Sequence, residues 1–203
     1  MFAEDTADNE HPEPGFFPKP FSTDPVTSSA RVFLVGPMGA GKSTVGRALA
    51  QILGFEFVDS DAEIEARTGA DIPWIFEIEG ESGFRDRETK VIEDVSSRDT
   101  VVMATGGGAI LRGENRSVLS KRGFVVYLEA TLREQIRRTS KDQQRPLLAG
   151  QDRRRVLTEL MATREPLYKE IADLTLPTTK RNARQLAEQI VSALEEVVPA
   201  AGP

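Results

Sequence analysis

The residues with the clearest chemical potential form a glycine-rich stretch, Gly36-Pro-Met-Gly-Ala-Gly-Lys-Ser43, which Thr44 follows. Glycines let backbone N–H groups turn inward around phosphate oxygens, and the free amides of a helix start add partial positive charge there. In this spacing Lys42 would reach the terminal phosphates of a nucleotide, and the Ser43 hydroxyl would bind Mg²⁺. The pattern therefore predicts a loop whose residues surround nucleotide phosphates: Gly39, Ala40, Gly41, Lys42, Ser43 and Thr44.

The sequence on either side of this loop supplies the elements that such a loop requires. The apolar run 32–35 predicts a buried strand before it, and the pattern of 45–53 predicts a helix after it. The simplest alternative is a glycine turn between two core elements. A dinucleotide-binding turn is another, because Asp59 and Asp61 lie about twenty residues further on. That turn would need a third glycine where Thr44 stands.

Two acids follow the next predicted strand, 55–58, in the sequence Asp59-Ser60-Asp61. Ser60 or Asp61 can cap the helix predicted to begin at Ala62, which is the purely structural explanation. Because open α/β sheets bind ligands at the carboxyl ends of their strands, one acid can instead help to hold Mg²⁺ while the other faces an acceptor hydroxyl. One cap does not need two acids, so we favour the functional interpretation.

A predicted helix carries an arginine and an acid at neighbouring positions of one face. Helical spacing puts Glu88 on the same side as the apolar residues Phe84, Val91 and Val95. A carboxylate in that place needs a partner, and Arg85 can supply one while its guanidinium points at a ligand. An ordinary solvated ion pair explains the two residues equally well.

Further candidates lie in the second half of the chain. A predicted strand runs into Gly106-Gly-Gly108, where either a packed neighbour or a ligand approaches the backbone closely. The polar stretch 140–152 carries Arg145 and predicts a lid, or otherwise an exposed connector. Arg164 shares a helical stripe with apolar residues, and we expect Pro166 to end that helix.

The remaining pattern alternates strands and helices, as expected for an α/β domain. A helix is predicted to begin at Ile72 with Asp71 as its N-cap, and further helices are predicted at 132–139 and 183–198. The other predicted strands are 100–105, 124–128 and 174–176.

The composition excludes several other classes of protein. A net charge of −6 argues against a nucleic-acid surface, and the absence of cysteine excludes disulfides and thiolate chemistry. No apolar run approaches the ~20 residues of a membrane span. Residues 1–30 hold five of the 12 prolines and fit neither a signal nor a transit peptide, so we expect a disordered tail before a single domain over 31–198 and a short tail over 199–203.

Together these motifs resemble those of the shikimate kinase family over about residues 31–198. The first motif belongs to a very large class, whereas the next three are much more particular to shikimate kinases in this order and spacing. The resemblance implies an α/β, three-layer P-loop kinase fold with a five-stranded parallel sheet, flanking helices and a mobile lid near 140–152. It rests on Gly36-Pro-Met-Gly-Ala-Gly-Lys-Ser43, Phe57-Val-Asp-Ser-Asp61, Gly80-Glu-Ser-Gly-Phe-Arg85, Gly106-Gly-Gly108, Arg145-Pro-Leu-Leu148 and Arg164-Glu-Pro-Leu-Tyr168.

The resemblance also implies a reaction, the transfer of the ATP γ-phosphoryl group to the 3-hydroxyl of shikimate in aromatic amino-acid biosynthesis. Asp61 would bind the ring hydroxyls and orient or deprotonate the attacking one, while Lys42 and Arg145 would act on the transferring phosphoryl group. The other implied contacts are Arg85, Gly107 and Arg164 to shikimate, Ser43 and Asp59 to Mg²⁺, and Arg138 and Arg181 at the border of the adenine pocket.

Two other functions remain open from the sequence. One is a gluconate-type kinase of the same fold, and the other is a nucleotide-sensing P-loop module without an acceptor. The chain departs from the family at Ala183, where some members carry proline beside the adenine. We expect a cytoplasmic monomer that binds ATP and shikimate and has no nucleic-acid or membrane partner.

Overall fold

Five parallel strands form one sheet at the centre of the computed structural model, which describes residues 31–140, 152–179 and 181–197. The order across the sheet is β2-β3-β1-β4-β5, so the strand that precedes the glycine-rich loop lies in the middle. The strands are β1 (Arg31–Val35), β2 (Glu56–Asp59), β3 (Val101–Ala104), β4 (Phe124–Glu129) and β5 (Leu174–Pro177).

After β1 the chain forms β2 and β3 on one side of this strand, and it then crosses to form β4 and β5 on the other side. In the register of the sheet, Leu34 of β1 lies between Ala104 of β3 and Val126 of β4. A crevice opens at the carboxyl ends of the strands where the direction of winding reverses, and ligands of open α/β sheets bind there. The glycine-rich loop begins directly after β1 and therefore lies at that crevice.

Helices cover both faces of the sheet and complete a three-layer fold. They are α1 (Lys42–Leu53), α2 (Ser60–Thr68), α3 (Ile72–Val95), α4 (Gly113–Arg122), α5 (Leu132–Thr139), α6 (Arg153–Ile171) and α7 (Ala183–Val197), with a 3₁₀ turn at Ala109–Leu111. The α/β class, the parallel sheet and the flanking helices expected from the sequence are confirmed. In the described part of the chain no helix is both long and apolar enough to cross a membrane.

Side chains alternate between two cores along the central strand. Val32 and Leu34 pack with α1 and α7, whereas Phe33 and Val35 pack with residues of α2, α3, α4 and α6. All four side chains are fully buried. Burial on both faces explains the continuous apolar run in the sequence, because a parallel strand between two helical layers has no solvent-facing side.

Helix α6 differs from its predicted form. The prediction that Pro166 ends this helix is wrong, because α6 continues through the proline to Ile171. Proline cannot donate its backbone hydrogen bond, at a cost of about 3 kcal/mol in a helix interior. Tyr168 and Ile171 lie beyond it and are buried in the core, so their packing holds the last turn in place.

The start of α2 also differs from its prediction. Neither Ser60 nor Asp61 is the cap, and the helix begins at Ser60 rather than at Ala62. Asp59 is the N-cap because the last residue of β2 is extended and its carboxylate accepts hydrogen bonds from the N–H groups of Asp61 and Ala62. Ser60 is instead fully buried, and its hydroxyl accepts a hydrogen bond from Gly106 N at 2.9 Å.

Helix α3 contains a sharp break that the sequence pattern did not predict. Its first turn is as expected, with Asp71 accepting a hydrogen bond from Trp74 N at 2.9 Å. Gly80 has φ 69° and ψ −178°, a conformation essentially restricted to glycine. The helical axis therefore changes direction five residues before Arg85, and the second half of α3 buries Phe84, Arg85 and Glu88.

We expect Gly80→Ala to lower the free energy of unfolding by about 1–3 kcal/mol, because a Cβ is strained at this φ and ψ. The same change should displace Arg85 and weaken binding of any ligand of that side chain. Chemical unfolding and ligand titration measure the two effects separately. Gly69→Ala is the matched control, since Gly69 also has positive φ, at 68°, but ends α2. Equal effects of both variants on ligand affinity would contradict this prediction.

Candidate active site

The glycine-rich loop turns directly from β1 into α1. Gly39 and Gly41 both have positive φ, and Gly41 is the residue before the first helical turn. The Lys42 ammonium donates hydrogen bonds to Gly36 O at 2.8 Å and to Pro37 O at 2.9 Å, so it lies over the loop. Backbone N–H groups at a helix start and a lysine at the same point form an arrangement that binds phosphate.

A hydroxyl and a carboxylate meet at the edge of this loop. The Ser43 hydroxyl donates a hydrogen bond to Asp59 Oδ2 at 2.6 Å, while Asp59 Oδ1 caps α2. The cap and the contact use different oxygens, so capping α2 leaves Asp59 Oδ2 directed at Ser43. Hydroxyl and carboxylate oxygens are the ligands that Mg²⁺ prefers in proteins.

Asp61 lies in the first turn of α2, beside the triple glycine. A Cβ on Gly106 would be 2.7 Å from Asp61 Oδ1 and 2.7 Å from Glu88 Oε1, so only glycine fits between the two carboxylates. Asp61 is partly exposed, whereas Glu88 is fully buried. Asp61 is therefore accessible to a ligand, whereas Glu88 lies inside the protein.

Glu88 and Arg85 form the pair that the helical spacing predicted. Arg85 Nη1 donates to Glu88 Oε2 at 2.7 Å, and Nη2 donates to the half-exposed Glu81 at 3.0 Å. Burial raises the pKa of the Glu88 carboxyl above its ordinary value, against the opposing charge of Arg85, and the nearby Asp61 charge raises it further. The alternative of a solvated surface pair is excluded, because Arg85 is 7% exposed and Glu88 is 0% exposed.

Arg164 is a second buried guanidinium, 5% exposed, on α6. Burial lowers its pKa from the ordinary value, and the positive charge of Arg85 lowers it further. No carboxylate in the described part of the chain forms an ion pair with it. A buried cation without an ion-pair partner is costly, and an anionic ligand would offset that cost.

The triple glycine connects the two arginines to the phosphate-binding loop. A Cβ on Gly108 would overlap the Arg85 guanidinium, and a Cβ on Gly107 would lie 3.8 Å from Arg164 Nη1 and 3.4 Å from Met38 N. We call Arg85, Arg164 and Gly106–Gly108 the arginine pocket. The pocket and the glycine-rich loop are thus immediate neighbours.

Arg138 lies against the loop, whereas Arg181 lies beside α7. Arg138 Nη1 donates to Gly39 O at 2.9 Å and to Thr178 Oγ1 at 3.1 Å, so it joins the loop to the segment after β5. Arg181 is exposed just before α7 and lines a polar groove with Gln185 and Glu188. Thr44 is exposed in the first turn of α1.

One predicted site residue and most of the predicted lid fall outside the described residues. Arg145 and 141–151 belong to that part, so the role of Arg145 stays a prediction.

Four residues of this site were not singled out from the sequence. Glu81 binds Arg85, Ser60 holds the backbone of Gly106, Thr178 holds Arg138, and Tyr168 donates a hydrogen bond to Gly107 O at 2.5 Å. Three of these contacts join elements that are far apart in the chain, and helical or strand spacing carries no signal for them. Glu81 and Arg85 instead lie four residues apart on the same part of α3, so helical spacing could have shown this pair.

The fold and the site define a P-loop kinase of the kind that acts on small molecules. The phosphate-binding loop lies at the switch point of a parallel sheet, beside an acid and two buried arginines. The profile of the family described as shikimate kinase matches residues 38–195. The chain therefore belongs to the shikimate kinase family.

Individual relatives agree with this assignment. A shikimate kinase from Histophilus somni (strain 2336) is 54% identical over 167 residues, which cover 82% of this chain and 95% of the relative. The solved structure of shikimate kinase from Acinetobacter baumannii in complex with shikimate is 50% identical, with a TM-score of 0.82 over 85% of this chain and 96% of that chain. A gluconokinase from Sinorhizobium meliloti 1021 is 16% identical, with a TM-score of 0.56 over 83% of this chain and 93% of that one, and shares the fold alone.

Proposed function

We propose that this protein transfers the γ-phosphoryl group of ATP to the 3-hydroxyl of shikimate, giving shikimate 3-phosphate for aromatic amino-acid biosynthesis. The observation that carries the proposal is the arginine pocket. Two guanidinium groups are buried there, and among the described residues only Arg85 has a buried carboxylate partner, so the pocket favours a substrate with a carboxylate. Membership of the shikimate kinase family supports the choice of acceptor.

The acceptor would bind between Asp61 and the arginine pocket. Arg85 and Arg164 would clamp the substrate carboxylate, and the backbone N–H of Gly107 would donate to the ring. This orientation leaves the ring hydroxyls at Asp61, which binds them and orients or deprotonates the attacking oxygen. The attacking oxygen would then lie beside the phosphate-binding loop, since a Cβ on Gly107 would be 3.4 Å from Met38 N.

The nucleotide would bind along the loop, with its phosphates at the N–H groups of Gly39, Ala40 and Gly41 and at Lys42, Ser43 and Thr44. In this arrangement Lys42 exchanges the carbonyls of Gly36 and Pro37 for phosphate oxygens. Arg138 and Arg181 border the adenine, and Arg145 reaches the transferring phosphoryl group from the lid. Phosphoryl transfer asks a protein mainly for positioning and for charge neutralisation, which these cations supply.

Mg²⁺ is the cofactor that this chemistry requires, and the site contains suitable ligands. Ser43 and Asp59 would hold the ion, the latter directly or through water, since their oxygens already lie 2.6 Å apart. In the described residues no group of three acids or histidines could hold a metal by itself, so nucleotide phosphates would complete the coordination. When bound, the ion neutralises charge on the phosphates and fixes their orientation.

The gluconate-type alternative has less support. Gluconate also carries a carboxylate, so the arginine pocket does not separate the two acceptors, but the likeness to the gluconokinase is limited to the fold, whereas the chain belongs to the shikimate kinase family. A nucleotide-sensing module has no use for the arginine pocket. The cytoplasmic location, the monomeric state and the domain limits at 31 and 198 stay predictions.

The test is release of ADP from Mg-ATP with shikimate, with quinate and gluconate as comparison acceptors. We expect turnover that requires shikimate, is lost when EDTA removes Mg²⁺ and returns when Mg²⁺ is added in excess. Turnover with gluconate alone would preserve the phosphate chemistry and overturn the choice of shikimate as the acceptor. Tight binding of ATP without turnover on any acceptor would favour the sensing module.

A further inference from the structure

Tyr168 is a buried residue of α6 to which the proposed reaction assigns no role. Its side chain is 0% exposed, and its hydroxyl donates a hydrogen bond to Gly107 O at 2.5 Å. The two residues are 61 positions apart in the chain. This contact fastens the arginine pocket to α6, the helix that also carries Arg164.

The backbone at Gly106–Gly108 needs such a contact. Three consecutive glycines have no side chains to restrict them and lose more conformational freedom on folding than any other sequence of this length. Other backbone groups of these glycines are already hydrogen-bonded. Gly106 N donates to the Ser60 hydroxyl, and Gly106 O and Gly108 O accept from the N–H groups of Ala109 and Leu111. The Tyr168 hydroxyl supplies the bond at the carbonyl of the middle glycine.

The same hydroxyl lies beside Arg164. Residues four apart on a helix are neighbours, and Arg164 Nη1 also lies close to Gly107. The positive charge of Arg164 lowers the pKa of the Tyr168 hydroxyl, which burial otherwise raises. One hydroxyl therefore contacts a backbone position of the pocket and is adjacent to one of its two guanidinium groups.

A second tyrosine stacks on the ring of Tyr168 and restricts its movement. Tyr127 of β4 stacks on it with ring centroids 5.1 Å apart and an interplanar angle of 18°. Tyr127 is also 0% exposed, and its hydroxyl has no hydrogen-bond partner in the described part of the chain. The stack leaves Tyr168 little freedom to move its hydroxyl away from Gly107.

We propose that Tyr168 is a positioning residue for the substrate carboxylate: its hydroxyl holds the Gly107 backbone and orients Arg164, so the pocket is formed before the ligand arrives. The inference rests on the proposed function only in taking a carboxylate as the ligand. Preformed polar groups bind more tightly than groups that must be ordered on binding, because the ordering cost is already met in the free protein.

The test is Tyr168→Phe, which removes the hydroxyl and keeps the stacked ring. We expect KM for shikimate to rise about 5- to 20-fold, because the variant loses one hydrogen bond and the order that it imposes on the pocket. The values of kcat and of KM for ATP should stay within about 2-fold of wild type. Tyr127→Phe is the matched control, because it removes an equally buried hydroxyl from the same stack. It should leave all three constants unchanged.

A double variant separates action through Arg164 from a general loss of packing. If Tyr168 acts through Arg164, Arg164→Gln with Tyr168→Phe should have a KM for shikimate within about 2-fold of Arg164→Gln alone. Calorimetric titration with shikimate gives Kd and, from its stoichiometry, the folded fraction of each variant. Multiplied effects in the double variant would overturn the action through Arg164, and equal effects of the two Tyr→Phe changes or an unchanged KM in Tyr168→Phe would overturn the whole proposal.

The proposal and the function can fail separately. If the wild-type protein phosphorylates another hydroxy acid and not shikimate, the proposed function fails, while the wild type and the same four variants compared on that acid still test Tyr168. If shikimate is the substrate and the Tyr168→Phe constants equal those of Tyr127→Phe, only the inference fails.

Discussion

Asp61→Asn should lower kcat for shikimate by a factor of about 10²–10⁴, the range that a positioned proton acceptor contributes. Asparagine keeps the shape of the side chain but cannot accept the proton of the attacking hydroxyl. Removing this charge should not destabilise the fold, because the Asp61 charge acts unfavourably on the buried Glu88. Steady-state kinetics and chemical unfolding measure the two effects.

The same variant distinguishes the two roles proposed for Asp61. A large fall in kcat at unchanged KM indicates that Asp61 takes the proton from the attacking hydroxyl. A raised KM with kcat within about 3-fold of wild type indicates that Asp61 only orients the ring. Glu63→Gln is the matched control on the same helix, since Glu63 pairs with Arg67 at the surface. If Glu63→Gln reduces kcat as much as Asp61→Asn, the loss does not come from the acceptor site.

Arg85→Ala should both raise KM for shikimate about 10- to 100-fold and lower the free energy of unfolding by about 3–5 kcal/mol near pH 7. The sequence alone predicts only the first effect, with the fold intact. The structure adds the second, because Arg85 is the ion-pair partner of a fully buried Glu88. Removing the arginine leaves a buried carboxylate that must either stay charged without a partner or take up a proton.

The loss of stability should depend on pH in a defined direction. Burial holds the pKa of Glu88 above its ordinary value in the folded protein, so folding favours the protonated form. The contribution of Glu88 to stability is therefore largest below its unfolded pKa and declines as pH rises through the folded pKa. Without Arg85 the pKa of Glu88 in the folded protein rises further. The difference in free energy of unfolding between variant and wild type should therefore be large at about pH 7.5 and smaller at about pH 5.

A double variant separates the two effects of Arg85. Arg85→Met with Glu88→Leu replaces the buried pair by apolar side chains, and it should recover most of the free energy of unfolding. Its KM for shikimate should stay high, because the clamp is still absent. Recovery of KM together with stability would show that Arg85 supports the pocket without touching the substrate.

Most of the fold could be predicted from local patterns. The central strands β1, β3 and β4 have continuous apolar runs because they are buried along almost their whole length, and α1, α5 and α7 have helical spacing because each turns one face to the interior. Predictions failed where one contact overrode the local preference. Helix α6 continues through Pro166 because Tyr168 is buried beyond it, and Asp59 caps α2 because Ser60 turns inward to Gly106.

The candidate site shows the same division. The loop at 36–43 and the acids Asp59 and Asp61 could be found from spacing, because each follows a strand directly and lies at the same edge of the sheet. The pairing of Arg85 with Glu88 is also local, within one helical turn. Whether that pair is solvated or buried could not be predicted, because its burial depends on the glycines after β3.

The sequence by itself determined the chemistry: a phosphate-binding loop, two acids at a strand end, and arginines on helical faces that also carry apolar residues. Only the tertiary structure decided that Arg85 and Arg164, from helices far apart in the chain, meet at one triple glycine and that Tyr168 fastens it. The physical reason is that spacing along the chain fixes neighbours within a helix or strand. Contacts between elements depend on how the layers pack, and close packing at Gly106–Gly108 leaves room only for glycine.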